Sequence, residues 1–321
     1  MSVDVSFTLK DDGENKLQRG LICGCYWGHY WSVTARRTEH VVTRMERAIP
    51  AASRLPFRKA KRKTLPRWPA DEHDAYREQN QTLVSMVWDL IREGHHDEEP
   101  HNGLIVIAGS TGSGKTTYAR ELARRCVAGR MSDRPHIVTY EDPIESWFAY
   151  TPSEANLAGF DYTPRQKGAD VEELKDGVAD ALRQKPALLY VGEVRSDSDW
   201  DALLSFAGTG HLAVTTTHAG SLAKTFERIL AALHADTPAD RSDISSRIIA
   251  VLHVREVSGK RVPALWVQTD RSRTALTQEG LASLLPTGHR DGRYGRAYFA
   301  KALNYGPDVE KDALQCDLRG E

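Results

Sequence analysis

The segment GLIVIAGSTGSGKTTYARELARRCVAG, residues 103–129, decides the fold. Its first part, Leu104 to Ala108, is a continuous apolar run, which a strand needs when both of its faces are buried. Its last part sets Ala119, Leu122, Ala123, Cys126 and Val127 on one helical stripe, with Gly129 as the stop. Between them lies a glycine-rich turn. Downstream, His136 to Tyr140 reads as a second strand, residues 170–184 as an amphipathic helix closed by Pro186, and Leu188 to Val191 as a third strand. Leu212 to Thr216 reads as a fourth, and Ser221 caps a helix whose apolar face is Leu222, Phe226, Ile229 and Leu230. Strands alternating with helices at this spacing predict an α/β fold built on a mostly parallel sheet covered on both sides.

Upstream, the pattern changes. Residues 20–36 are rich in β-branched and aromatic residues and read as strand–turn–strand about Gly28. Pro50 and Pro56 interrupt them, a basic run follows (Arg58, Lys59, Lys61, Arg62 and Lys63), and TLPRWPADEH completes a linker. Leu83, Val84, Val87, Leu90 and Ile91 then recur at helical spacing over 78–93, and GHHDEEPHNG ends that helix. The chain is thereby divided into a small N-terminal domain over 1–56, a basic, proline-bearing linker over 57–80, and a main domain over 81–321 with a C-terminal subdomain.

Composition bounds the function. A formal net charge of -1 gives no global bias towards nucleic acid or an anionic membrane. No apolar run reaches the length of about 18 residues that reads as a spanning helix. The charged start MSVDVSFTLKDDGENK has no apolar middle of a signal peptide, so a cytoplasmic chain is expected. Cys23, Cys25, Cys126 and Cys316 form no C-x-x-C pair, which argues against a zinc module and a disulfide framework.

The turn carries the chemistry. Gly109, Ser110, Thr111, Gly112, Ser113, Gly114, Lys115 and Thr116 fit G-x-x-x-x-G-K-[ST], followed by Thr117, between a buried strand and a helix. Such a loop turns several backbone N–H groups towards phosphates, with the helix dipole behind them. Lys115 supplies a charge to the β- and γ-phosphates, and the Thr116 hydroxyl is a ligand for Mg²⁺. ATP with Mg²⁺ is the cofactor pair this predicts. Glu141 directly follows the second strand and Glu193 follows the third, so both carboxylates reach the sheet edge where the loop lies. One can hold the metal (Glu193 with Thr116) while the other orients or deprotonates water, and the residues alone do not divide those roles. In TGHLAVTTTHAG, His211 opens the fourth strand and His218 follows it. A histidine and three threonines at the strand end nearest the nucleotide read as a γ-phosphate sensor or a subunit-contact element.

GSTGSGKTT, TYEDPIE, ALRQKPALLYVGEVR and TGHLAVTTTH, in that order over roughly residues 100–235, resemble the Walker A, Asp box, Walker B and His box of the type II/type IV secretion and pilus-retraction ATPase family. TYEDPIE and DGVADALRQKP look most like its conjugative and type IVB branch. The resemblance implies a RecA-like core with a small, here shortened, PAS-like N-terminal domain. It implies a homo-hexameric ATPase at the cytoplasmic face of the inner membrane, engaging a membrane platform or coupling protein, with no sequence-specific nucleic-acid binding. Glu141 would be the Asp-box glutamate, Glu193 the Walker B glutamate, and His211 and His218 the His-box pair. Arg165 and Gly168 are similar to a family Arg-x-x-Gly segment, and Arg47, or more weakly Arg19, would complete the site from the N-terminal side. AGSLAKT after His218 departs from the usual threonine-rich stretch, and RDGRYGRAYFAKAL has no counterpart. A nucleic-acid translocase would want a basic channel or stacking aromatics. A small-molecule phosphotransferase would want a lid and acceptor pocket, and a scaffold would not need both glutamates.

Overall fold

The computed structural model describes residues 5–10, 17–22, 70–96, 102–128, 135–143, 161–168, 170–284 and 294–320. The chain divides into two compact units, Met1–Glu78 and Gln79–Glu321. In the first, β1 (Val5–Lys10) and β2 (Leu17–Ile22) pair antiparallel. Arg47, the basic run and both Cys23 and Cys25 lie outside the described residues. Helix α1 (Ala70–Gly94) begins well before the apolar stripe does. Its first turns, ADEHDAYR, are mostly polar, so they show no apolar periodicity although they extend the helix into the stretch read as linker.

The second unit is one sheet with helices on both faces. In chain order its elements are β3 (Gly103–Gly109), α2 (Lys115–Ala128), β4 (His136–Glu141), β5 (Asp161–Gln166), α3 (Leu174–Gln184), β6 (Leu188–Val191), α4 (Asp197–Gly208), β7 (Leu212–Thr217) and α5 (Leu222–Ala232). Then come α6 (Pro238–Arg247), β8 (Ile248–Val257), β9 (Lys260–Val267), α7 (Asp270–Glu279), a 3-10 turn (Gly280–Leu284), α8 (Arg296–Ala302) and α9 (Pro307–Arg319). The strand order is β5-β4-β6-β7-β3-β8-β9. Every neighbouring pair is parallel except β8–β9. That hairpin turns on Ser258 and Gly259, at φ 49 and 74, the backbone a two-residue hairpin loop requires.

The pleat sorts the core. Ile105, Ile107, Leu188, Tyr190, Leu212 and Val214 face one layer with α1, α2, α8 and α9. Leu104, Val106, Leu189, Val191 and Ala213 face the other, with α3 to α7. Because residues alternate sides along each strand, the central strands read as unbroken apolar runs. β8 departs from alternation, with Ile249 and Ala250 both in the first layer, where the β3–β8 register shifts between Leu104 and Ile105.

Candidate functional site

The carboxyl ends of β4, β6, β7 and β3 lie along one edge of the sheet, and the glycine-rich loop follows β3 there. Gly112 and Gly114 hold φ +79 and +85, left-handed backbone that side chains resist. At Gly109 space decides: a Cβ would lie 2.5 Å from Ser113 Oγ and 2.6 Å from the Val254 carbonyl oxygen. Helix α2 starts at Lys115 with no acidic residue in its first turn. Its leading amides have no intrahelical partner, and its positive end is unopposed. Ser110, Thr111 and Thr117 are exposed, Thr116 is half-buried, and Ser113 and Lys115 are buried.

Lys115 connects this loop to the neighbouring strand ends. Its Nζ stands 3.4 Å from the Ser110 carbonyl oxygen and 3.3 Å from His218 Nε2. His218 Nε2 lies 3.1 Å from Glu193 Oε1. Arg195 donates from Nε to Glu193 Oε2 at 2.9 Å, and its Nη1 stands 3.7 Å from Asp142. The contacts therefore run from the end of β3 to those of β7, β6 and β4, in the order of the strands. Glu193 and His218 are part-exposed, 21% and 43% for their side chains, so both can meet a ligand held over the loop.

The three threonines of β7 brace the neighbouring strand end. Thr215 donates to the Val191 carbonyl (2.9 Å) and Thr216 to that of Gly192 (2.5 Å), while the Val194 amide donates back to Thr216 (2.9 Å). They bracket the turn that presents Glu193. Arg228 on α5 does the same for its neighbours, donating to the carbonyls of His218 (3.1 Å) and Arg195 (3.0 Å). Neither role shows in the sequence, where the threonines read as site residues and Arg228 as a polar helix position.

Glu141 is at the same edge but is held differently. It is buried, and its carboxylate is paired with Arg120 of α2. Gln166 pairs with it across β4–β5, and the Lys167 amide donates to its carbonyl at 2.9 Å, so the Arg165-to-Gly168 segment runs beside it. His211 is not brought to this edge. It opens β7, where its carbonyl accepts from Gly103 at the start of β3 and its ring lies 4.9 Å from that of Phe206. A strand of this length puts it on the order of 20 Å from His218. Among the described residues no cluster of three or more His, Cys, Asp or Glu is arranged to hold a metal ion, and no helix is long and apolar enough to cross a membrane.

A parallel, doubly covered sheet with this loop after a buried strand defines a P-loop α/β protein. Residues 95–310, more than half of the chain, match the family model described as Type II/IV secretion system protein, and the chain belongs to that family. Among characterised proteins it is similar to the type IV pilus ATPase PilU of Pseudomonas aeruginosa, 34% identical over 134 residues. That match covers 42% of this chain and 32% of PilU. It is also similar to the type IV pilus retraction ATPase PilT of the same organism, 29% identical over 199 residues, covering 60% of this chain and 55% of PilT. The matched stretch thus spans about a third and about half of those two relatives. The fold is similar to that of the Legionella pneumophila ATPase DotB (TM-score 0.56, 19% identity, 99% of this chain and 78% of DotB). It is similar also to that of the pilus retraction motor PilT with bound ADP (TM-score 0.56, 21% identity, 97% and 77%).

Proposed function

We propose that this chain binds ATP with Mg²⁺ and hydrolyses it, as the motor of a type IV secretion, conjugation or pilus machine. The observation that carries the reading is the line Lys115–His218–Glu193–Arg195, which joins the phosphate loop to the neighbouring strand ends in strand order. The loop fits a polyphosphate: unopposed helix amides, a buried lysine charge and open space above Gly112. Thr116 and Glu193 would hold Mg²⁺ together with phosphate oxygens, as this small ion prefers few protein ligands. The ion supplies charge neutralisation on the phosphates when bound.

The remaining roles belong to the chain. Lys115 pairs with the β- and γ-phosphates, exchanging its contact with His218 for theirs. His218 reads the terminal phosphate and passes its position to Glu193 through their 3.1 Å contact. A carboxylate at this edge, Glu193 or Glu141, orients water and takes its proton as the γ-phosphate bond to ADP breaks. Glu141 reaches the site only if Arg120 lets it go. His211, at the opposite edge, is better suited to the subunit-contact reading. A homo-hexameric ring with Arg47 contributed from the N-terminal domain, held at the inner membrane by a platform protein, completes the proposal.

The test is ATP turnover by the purified chain beside its Glu193→Gln and Lys115→Ala variants, with particle mass recorded for each. Mg²⁺-dependent turnover by a hexamer, lost in both variants, is the expected result. Brisk turnover by a monomer would sink the ring, and variants as fast as the parent would sink the site.

A further inference from the structure

Arg296, the first residue of α8, is fully buried. Its guanidinium donates to the carbonyls of His253 (3.1 Å) and Val262 (2.6 Å), and its Nη2 meets His253 Nδ1 at 2.5 Å. Asp317 of α9 accepts from the backbone amides of Arg296 and Ala297, both at 2.9 Å, which fixes where α8 begins. His253 sits in the middle of β8, 1% exposed, and its Nε2 is 3.0 Å from the carbonyl of Ala219. A carbonyl only accepts, so Nε2 carries the proton and Nδ1 offers its lone pair to the guanidinium. Burial, then the Arg296 charge, hold this imidazole down to about 4, so it stays neutral in that one tautomer.

Ala219 is the residue after His218. Two successive loop carbonyls are thus each held by a side chain, that of His218 by Arg228 and that of Ala219 by His253. The C-terminal segment is also linked to the phosphate loop, through the β8–β9 hairpin. Ser258 of the β8–β9 turn donates to Asp312 of α9, the Tyr305 hydroxyl lies 3.3 Å from the Arg261 carbonyl, and Arg261 donates to the Gly112 carbonyl at 3.2 Å. A simpler reading has Arg296 only stapling the hairpin to α8. That reading accounts for the Val262 contact, but not for a strand histidine whose second nitrogen points away from the hairpin, at the loop behind His218.

We infer that His253 and Arg296 are positioning residues: through the Ala219 carbonyl they set the loop that carries His218, so the C-terminal helix pair tunes the phosphate site. The inference rests on the reading of His218 as a phosphate-facing group. Glutamine at 253 reaches far enough to keep a donor on Ala219, whereas asparagine reaches Arg296 but falls short of Ala219.

The test compares His253→Gln and His253→Asn in the full chain, each also combined with His218→Ala, at a temperature where thermal melts show all of them folded. Asparagine should lower kcat by about ten- to a hundredfold, the scale of a misplaced catalytic group. Glutamine should recover most of it, and asparagine should cost nothing further once His218 is alanine. A second readout needs no turnover: the rate at which diethyl pyrocarbonate modifies His218 in the nucleotide-free protein, followed by peptide mass spectrometry. Asparagine should raise that rate at least twofold and glutamine should not. If both variants leave the rate at the parent value, or if kcat falls equally in both and additively with His218→Ala, the relay is wrong. A parent chain without turnover but with the expected modification pattern would overturn the ATPase reading and leave the relay standing.

Discussion

Arg120 on α2 and Glu141 at the end of β4 form a buried ion pair, with side chains 9% and 3% exposed. β6 and β7 separate β4 from the strand that feeds α2, so the pair ties the phosphate-loop helix to a strand three places away. Burying two charges is costly, and removing one partner costs about 3–5 kcal/mol because the other charge stays buried. Arg120→Met should lower the stability by that amount in urea unfolding. The double variant Arg120→Met/Glu141→Leu should regain much of it. An Arg120→Met protein as stable as the parent would show that the pair contributes nothing.

Lys115→Ala and Glu193→Gln should separate binding from chemistry. Without its lysine charge, the loop should bind a fluorescent ADP analogue at least about tenfold more weakly, a loss of about 1.4 kcal/mol. Glu193→Gln keeps the loop and the length of the side chain. It should bind nearly as tightly while turnover drops by roughly 10²-fold or more, the usual share of a general base. Equal loss of affinity in both would place Glu193 in binding rather than in the chemical step.

His253 gives stability a pH dependence of known sign. Its folded value of about 4 lies below the 6.5 of an ordinary imidazole. Between the two the unfolded chain binds a proton that the folded chain refuses, so stability is full above about pH 6.5 and is lost as pH falls, by up to about 1.4 kcal/mol per unit. His253→Gln removes this titration. Unfolding free energies from pH 6.5 to 4.5 should therefore fall less steeply in the variant, and parallel curves would contradict the assignment.

Ser196 caps α4, accepting from the Asp199 amide while Asp199 accepts from the Ser196 amide. The cap lies next to Arg195, which holds Glu193. Ser196→Ala should cost about 1 kcal/mol in chemical unfolding. Turnover should fall with it because the Arg195 turn loosens. Unchanged turnover would show that the cap does not hold Arg195 in place.

What the sequence disclosed follows from where burial leaves a pattern. Leu104 to Ala108 and Leu188 to Val191 lie between two cores, so no polar residue interrupts them and the strands are legible. The loop Gly109–Thr116 is legible because phosphate geometry restricts residue type at fixed spacing. Residues 248–267 carry only a faint hairpin signal, Ser258-Gly259 between two β-rich runs. A histidine inside IIAVLHV and Pro263 on an edge strand, where proline is tolerated, blur it. The Arg296–His253 contact spans 43 residues of sequence and leaves no local mark. His211 and His218 share one motif, but the strand between them sends them to opposite edges, a separation already implied by one opening the strand and the other following it.

In β3, Ile105 and Ile107 are sealed into one core and Leu104 and Val106 into the other. Loosening either layer leaves the strand gripped by the opposite one, so its amides should exchange with deuterium only when the entire unit opens. The loop it supports has no private way of melting. A protease patrolling for partly opened copies would meet the phosphate loop either intact or gone, and seldom in between.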